Sequence, residues 1–350
     1  MSLFDASGCP FPRDDETGRV VLAHGEGGRA TRRLLEEHIF PRLNPAGLPA
    51  WEDAAVLPAL AGAPVLSTDS FVVSPLFFPG GDIGSLAVYG TVNDLLMRGA
   101  RPLWLSLSMI LEEGLPLSTL DAVVDRIAFA VRRCDVKIIA GDTKVVPRGA
   151  ADGMFLTTTG LGELRTPSPP GPSTLQIGDA ILVSGPIGRH GIAVLSAREQ
   201  LRFDPPPRSD CGHLSEAIEA LYAAGIQPRA LRDATRGGVA AVLHEWAQDS
   251  GRTLLVDESQ VPIGAEVRGV AELLGLDPLS IANEGTFLAA VAPKQAEQAL
   301  AALRSVELHR RAAIIGVVRE TGVTPVVVRR FSGQEQPLLE PNGAPLPRIC

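Results

Sequence analysis

The stretch that decides the fold runs VLSTDSFVV (Val65–Val73), then GGDIGSLAVYGTVNDLLMRGA (Gly80–Ala100), then PLWLSLSMIL (Pro102–Leu111). The two outer segments are rich in β-branched or aromatic residues with partial alternation, the mark of half-buried strands. Between them Ile83–Met97 has helical spacing, with Leu86, Tyr89, Asn93 and Met97 on one face. Outward toward the N-terminus, Arg19–Ala23 reads as a short strand entering His24-Gly25-Glu26-Gly27-Gly28, and Ala30–Ile39 as a helix. In the other direction Leu120–Val131 is an amphipathic helix, and Val136–Ala140 a strand ending at Gly141-Asp142-Thr143-Lys144. Phe155–Leu161 closes an α+β unit.

Pro167-Ser-Pro-Pro-Gly-Pro172 reads as a linker, since each Pro blocks helix and sheet pairing. A second domain starts with the strand Ala180–Ser184. It alternates helices (His213–Ala223, Val239–Trp246, Gln295–Leu303) with strands (Thr253–Val256, Phe287–Val291, Ala313–Val318). The expected organisation is a flexible arm (1–18), an N-terminal domain (19–165), a C-terminal α/β domain (173–330) and a mobile, extended tail (331–350). No short-period repeat is present, which excludes a solenoid.

The chain has 350 residues, 45% hydrophobic and 21% charged, so it has enough apolar mass for packed cores. Its formal net charge is −8 and it has no basic stripe, which argues against nucleic acid as a partner. No apolar run approaches the ~18 residues of a membrane span. The N-terminus lacks the basic-then-apolar pattern of a secretory signal. Cys9, Cys134, Cys211 and Cys350 are scattered without a CxxC pair, and fit neither a zinc site nor a disulfide framework. The expectation is a reduced, cytoplasmic protein. With 36 Gly and 29 Pro, loops shape its surface.

Several features can carry chemistry. Gly25, Gly27 and Gly28 let backbone N–H groups approach phosphate oxygens ahead of a helix N-terminus, although a flexible strand-to-helix turn explains them equally. No Lys-Ser/Thr pair follows, so this is not a Walker A loop. Asp53, Asp69, Asp94, Asp142 and Asp233 each sit at a strand end or beside small residues. Asp69 lies within an apolar strand, a costly place for a carboxylate unless a cation or donors compensate it. Asp94 shares a helix face with Ala87 and Gly90, which leaves room for a ligand. Singly, each is an ordinary cap or turn residue; together they favour a magnesium–nucleotide site, since magnesium takes a few carboxylates plus phosphate oxygens and water. Lys144 is one of three Lys against 29 Arg, and its place beside Asp142 suggests a need for a compact ammonium. In Asp233-Ala-Thr-Arg-Gly-Gly238, Thr235 is a candidate N-cap and Gly237 frees a helix N-terminus for an anion. Glu284, in Asn283-Glu284-Gly285, is a candidate general base if burial raises its pKa. His190, in Gly-Arg-His-Gly, could touch phosphate, although a turn histidine explains it more simply. Cys350 ends a Pro/Gly tail, and 20 extended residues at ~3.3 Å each reach roughly 65 Å, enough to carry a thiol between sites.

These motifs resemble the HypE family of hydrogenase maturation factors along nearly the whole chain. HGEGGRA, STDSFVV, GGDIGSLAVYGTVNDLLMRGA, AGDTKVVPRGAADG, LVSGPIGRHG, ALRDATRGGV, ANEG and the terminal PRIC carry the likeness. The resemblance implies a two-domain PurM-like α+β fold, shared with aminoimidazole ribonucleotide synthetase and selenophosphate synthetase. It implies N-terminal strands that form a barrel in a homodimer, with ATP bound near the interface. It also implies that a carbamoyltransferase, HypF, places a carbamoyl group on the terminal cysteine, here Cys350. ATP-dependent dehydration then gives a thiocyanate whose cyanide passes to iron on a HypC–HypD complex. By the same likeness Asp53, Asp69, Asp94 and Asp233 bind Mg2+ and nucleotide with Asp142 nearby, while Lys144 and Glu284 handle charge and protons around the carboxamide.

Two other readings compete. A synthetase of the same superfamily acting on a free small molecule would place its reactive residue near the N-terminus, where only Cys9 stands. A non-catalytic scaffold docking through Cys350 would not need the carboxylate series.

Overall fold

A computed structural model describes residues 18–43, 54–166, 169–343, 346 and 349–350. Asp53, Cys9, the arm before Gly18 and the start of the expected linker lie outside the described residues. The described chain opens with a 3-10 turn (Leu22–Gly25), α1 (Gly28–Leu34), a π-helical turn (Leu35–Ile39) and α2 (Phe40–Leu43). The strand expected at Arg19–Ala23 does not form. Arg19 makes one bridge to Pro116, and the Val21 N–H donates to His24 Nδ1 at 3.1 Å, which closes a turn instead.

The deciding stretch folds into β1 (Pro64–Phe71), a short hairpin of β2 (Phe77–Phe78) and β3 (Gly81–Asp82), α3 (Ile83–Met97) and β4 (Ala100–Glu112). Helix α4 (Leu117–Arg133) crosses to β5 (Lys137–Val146), and β6 (Met154–Leu164) completes a sheet of order β1-β6-β4-β5. The β4–β5 pair is parallel, as a helical crossover demands, and the other pairs are antiparallel.

Helix α3 is more buried than an amphipathic helix. All of its residues except Asp94 are buried, because the sheet covers one side while α4 and the second domain cover the rest. Asp82 caps it, accepting from Ser85 N–H at 2.8 Å and from the Ser85 hydroxyl at 2.9 Å. Glycines set the closeness of this packing. A Cβ at Gly84 would lie 2.6 Å from the Val123 carbonyl oxygen, and one at Gly90 2.9 Å from the Phe71 ring. The small residues beside Asp94 therefore admit the sheet, where a ligand was expected.

The second domain contains β7 (Ala180–Val183), α5 (Arg189–Arg198), α6 (Ser215–Ala223), β8 (Ala230–Asp233), α7 (Gly238–Ser250) and β9 (Thr253–Asp257). It continues through α8 (Ala265–Leu274), β10 (Phe287–Val291), α9 (Ala296–Arg304), β11 (Ala313–Arg319), β12 (Val326–Arg329) and β13 (Glu335–Pro337). Its sheet has the order β13-β12-β9-β11-β7-β10-β8. The expected tail thus starts late: β13 pairs with β12, because Glu335 binds both Arg319 and Arg329 across the strands. Buried Asn93 of α3 joins the domains, donating to the Gly212 carbonyl at 3.1 Å and accepting the Leu214 N–H at 2.9 Å.

Replacing Gly84 by Val should lower the urea midpoint by the equivalent of about 1–3 kcal/mol, since the α4 backbone cannot yield to the new carbons. An unchanged midpoint by circular dichroism contradicts this packing.

Candidate active site

The sheet register separates the sequence-predicted residues into two groups. Asp69 points from β1 toward α3, where the Ser67 hydroxyl donates to Asp94 Oδ2 at 2.6 Å. The end of β8 packs on the same helix and brings Asp233, while the loop before β10 brings Glu284. Burial pushes all four carboxyl groups above the usual range, Asp233 to about 7 and Glu284 well above its ordinary value, and repulsion from neighbouring carboxylates adds to the effect at Asp69, Asp233 and Glu284. Glu284 Oε1 is buried and has no hydrogen-bond partner.

Asp142 and Lys144 lie elsewhere. The GDTK motif is inside β5, and alternation buries Thr143 while leaving its neighbours exposed on the open face of the sheet. Lys144 Nζ pairs with Asp142 Oδ1 at 3.0 Å. Asp69 shares a lateral row with Thr158, Leu107 and Gly141, so three strand spacings, about 14 Å, separate β1 from β5. Within one chain Lys144 does not meet Glu284. The Gly-rich turn belongs to this second group: a Cβ at Gly25 would strike the Val145 nitrogen, whereas Gly27 and Gly28 have positive φ and open space around them.

The tail is seated in the first group. Leu346 and Ile349 are buried, the Val72 N–H donates to the main-chain oxygen of Cys350 at 3.1 Å, and His190 Nε2 meets the Ile349 carbonyl. Burial raises the Cys350 thiol to about 12, and the negative charges of Glu284 and Asp69 act in the same direction against the nearby Arg236. Arg236 Nη2 stands 3.9 Å from Asp69 Oδ1. At α7 the expected Thr235 cap is not made. Gly237 occupies the cap position with φ 75°, and the Gly238 N–H bonds to the Thr235 carbonyl at 2.9 Å.

Asp210 carries no signal in the sequence as a site component, and His190 reads there only as a turn residue or a phosphate contact. Asp210 accepts the Glu284 N–H and the Gly285 N–H, both at 3.1 Å, and the Thr286 hydroxyl at 2.8 Å. His190, read as a turn histidine, is wholly buried in α5. An Asp in Pro-rich Pro205–Cys211 and a His in a glycine setting look like ordinary loop residues until the fold brings them to Glu284 and to the tail.

Among the described residues no three His, Cys, Asp or Glu side chains close into a protein-only metal cage. The fit to Mg2+ is of the open kind, in which one or two carboxylates act together with phosphate oxygens. Asp69, Asp94 and Asp233 lie close enough to act on one another's charge, and they are the residues that could hold such an ion.

The domains and this seam define a class. Residues 51–164 match the family profile "AIR synthase related protein, N-terminal domain", and residues 176–329 match its C-terminal counterpart. The chain is 45% identical over 98% of its length to Carbamoyl dehydratase HypE of Cupriavidus necator, covering 98% of that protein. It is 46% identical over 95% of its length to the Escherichia coli protein of that name, covering 99% of it. A solved structure of hydrogenase maturation protein HypE in complex with ATP superposes with a TM-score of 0.90 at 43% identity, over 94% of this chain and 99% of that one. A HypE–HypF complex gives 0.77 at 44% identity, over 81% of this chain and 92% of that one. The chain belongs to the HypE family of carbamoyl dehydratases.

In metal-free protein Asp233 titrates near 7 when folded and near 3.8 when unfolded, so the native state binds the extra proton between these values. Stability should therefore fall as pH rises from about 4 to about 7, and Asp233→Asn should flatten that part of the curve. Thermal melts across this range check it; an identical slope in the variant contradicts the assignment.

Proposed function

We infer that this chain dehydrates an S-carbamoyl group on Cys350 to a thiocyanate at the expense of ATP; its HypE relatives bear the name carbamoyl dehydratase. The observation that carries the reading is the unpartnered Oε1 of buried Glu284 beside the seated terminal cysteine. A carboxamide on the sulfur offers two N–H donors to such an oxygen.

The chemistry follows from the seat. The carboxamide oxygen attacks the γ-phosphorus of ATP and the β–γ bridging bond breaks, releasing ADP. The carbon–oxygen bond of the resulting phosphoester then breaks as the N–H protons leave, forming C≡N and inorganic phosphate. Phosphoryl transfer mainly needs in-line positioning and charge neutralisation. Asp69, Asp94 and Asp233 would hold Mg2+, which would neutralise phosphate charge, and Arg236 adds a cation beside Asp69. Glu284 accepts a proton, and burial makes it a stronger acceptor once ionised.

The same seat keeps the free thiol protonated, since its pKa is about 12. A thiol in that state is a poor nucleophile, so loading occurs with the tail outside, on the carbamoyltransferase HypF. Delivery to iron on HypC–HypD requires a second exit. The protein acts as a homodimer in the cytoplasm, the second copy covering the open sheet face where Leu66 is 68% exposed. Lys144 and the Gly25–Gly28 turn, together with Asp142, reach the nucleotide across that interface.

Two outcomes test the reading. With HypF, carbamoyl phosphate and ATP, intact-mass analysis should show carbamoyl gain on Cys350 and then loss of one water. Cys350→Ala should block the first step, and Glu284→Gln should slow the second by about 10²–10⁴. An adduct on another residue sinks the proposal. In a second assay, Lys144→Ala and Glu284→Gln subunits are each inactive but recover activity when mixed, because one site of each heterodimer is intact. No recovery in proven heterodimers removes Lys144 from the interface role.

A further inference from the structure

His190 meets the tail's last peptide carbonyl, and its surroundings specify how. Its Nε2 faces the Ile349 carbonyl oxygen, which can only accept, so Nε2 carries the proton. Nδ1 lies 2.9 Å from Ser209 Oγ and, bare in the neutral ring, accepts the hydroxyl proton. Ser209 Oγ in turn accepts the Cys211 N–H at 2.9 Å. Full burial holds the ring neutral, with its pKa below the ordinary histidine value, and the Phe78 ring packs against it edge-on at 5.4 Å. Every polar atom of the ring is thereby assigned, with one tautomer.

The same ring is tied to Glu284 by two independent routes. Along the chain, Ser209 is followed by Asp210, whose carboxylate receives the Glu284 and Gly285 N–H groups. Through the helix, the first turn of α5 is pinned to the residues just before Glu284: the Gly188 N–H donates to Asn283 Oδ1 at 2.7 Å and the Gly191 N–H to the Ala282 carbonyl at 3.1 Å. Leu346 lies against the same turn, since a Cβ at Gly191 would meet its side chain at 3.2 Å.

We propose that His190 is a positioning residue that sets the register of Cys350 against Glu284, by holding the Ile349 carbonyl on a ring fixed to the Glu284 loop through Ser209–Asp210 and through α5. It touches no reacting atom. The proposal rests on the dehydratase reading for its purpose, but its geometry concerns only where the tail sits. When His190 lets go, the Val72 bond and the buried Leu346 and Ile349 side chains still hold the described end of the tail, but the peptide before Cys350 is free to turn.

Alkylation of Cys350 by iodoacetamide, mapped by peptide mass, reads the seat without ATP or carbamoyl donor. It therefore separates failure of this proposal from failure of the dehydratase assignment. Buried Cys134 reports global unfolding in the same sample. His190→Ala should speed Cys350 alkylation about tenfold with Cys134 unchanged, the size expected for losing one buried hydrogen bond. His190→Gln, whose amide N–H reaches the place of Nε2, should return most of the way to wild type. Ser209→Ala should give a smaller increase in the same direction. In single-turnover dehydration of the carbamoylated protein, His190→Ala should lower kcat and leave the KM for ATP unmoved. Wild-type Cys350 alkylation in both alanine variants overturns the proposal. If His190→Ala also exposes Cys134, the Ser209→Ala result decides: faster Cys350 alkylation supports the register role and an unchanged rate overturns it.

Discussion

The Asp210 carboxylate receives two successive N–H groups and a hydroxyl from the loop that carries Glu284, at such close range that a Cβ on Gly285 would stand 1.9 Å from the Asp210 carbonyl oxygen. Much else rests on this clamp. It holds a carboxyl in the seam between the domains without giving Oε1 a partner, and the same segment passes Gly212 to Asn93 of α3. Helix α3, the Glu284 loop and the tail seat are thereby referred to one short piece of chain. Burying several like-charged groups in one seam is unfavourable, and their raised pKa values record it. On the proposed reading, a bound cation and phosphates would offset that repulsion.

Seating the tail adds a division of labour. The environment that suits a neutral S-carboxamide is one in which a free thiol keeps its proton. On the proposed reading, loading and dehydration therefore favour different positions of Cys350. The main-chain contacts of Ile349 and Cys350 give the seated state its register independently of what the sulfur bears.

Much of this was legible in the sequence for a physical reason. Alternation in Val65–Val73 and Pro102–Leu111 marks half-buried strands, and both appear, the first ending at Phe71 and the second lengthened at both ends. Asp69, Asp94 and Asp233 stood out because carboxylates amid apolar or small residues need compensation, and the fold brings them to one helix. Glu284 was legible only as a candidate, since its burial comes from long-range packing. The separation of Asp142 and Lys144 was hidden because strand alternation in GDTK cannot be told from a strand end without the partner strand. Gly90 looked like space for a ligand and is filled by Phe71. His190 and Asp210 act through partners up to 159 residues away in the chain, which no local pattern records.

The central claim is that ATP activates the carboxamide oxygen on the seated cysteine, and an oxygen label follows it most directly. Carbamoyl groups carrying 18O, loaded on Cys350 and treated with MgATP in ordinary water, should yield one labelled oxygen in the inorganic phosphate per thiocyanate formed. Unlabelled phosphate, with the label lost to water, would contradict transfer of the phosphoryl group to that oxygen.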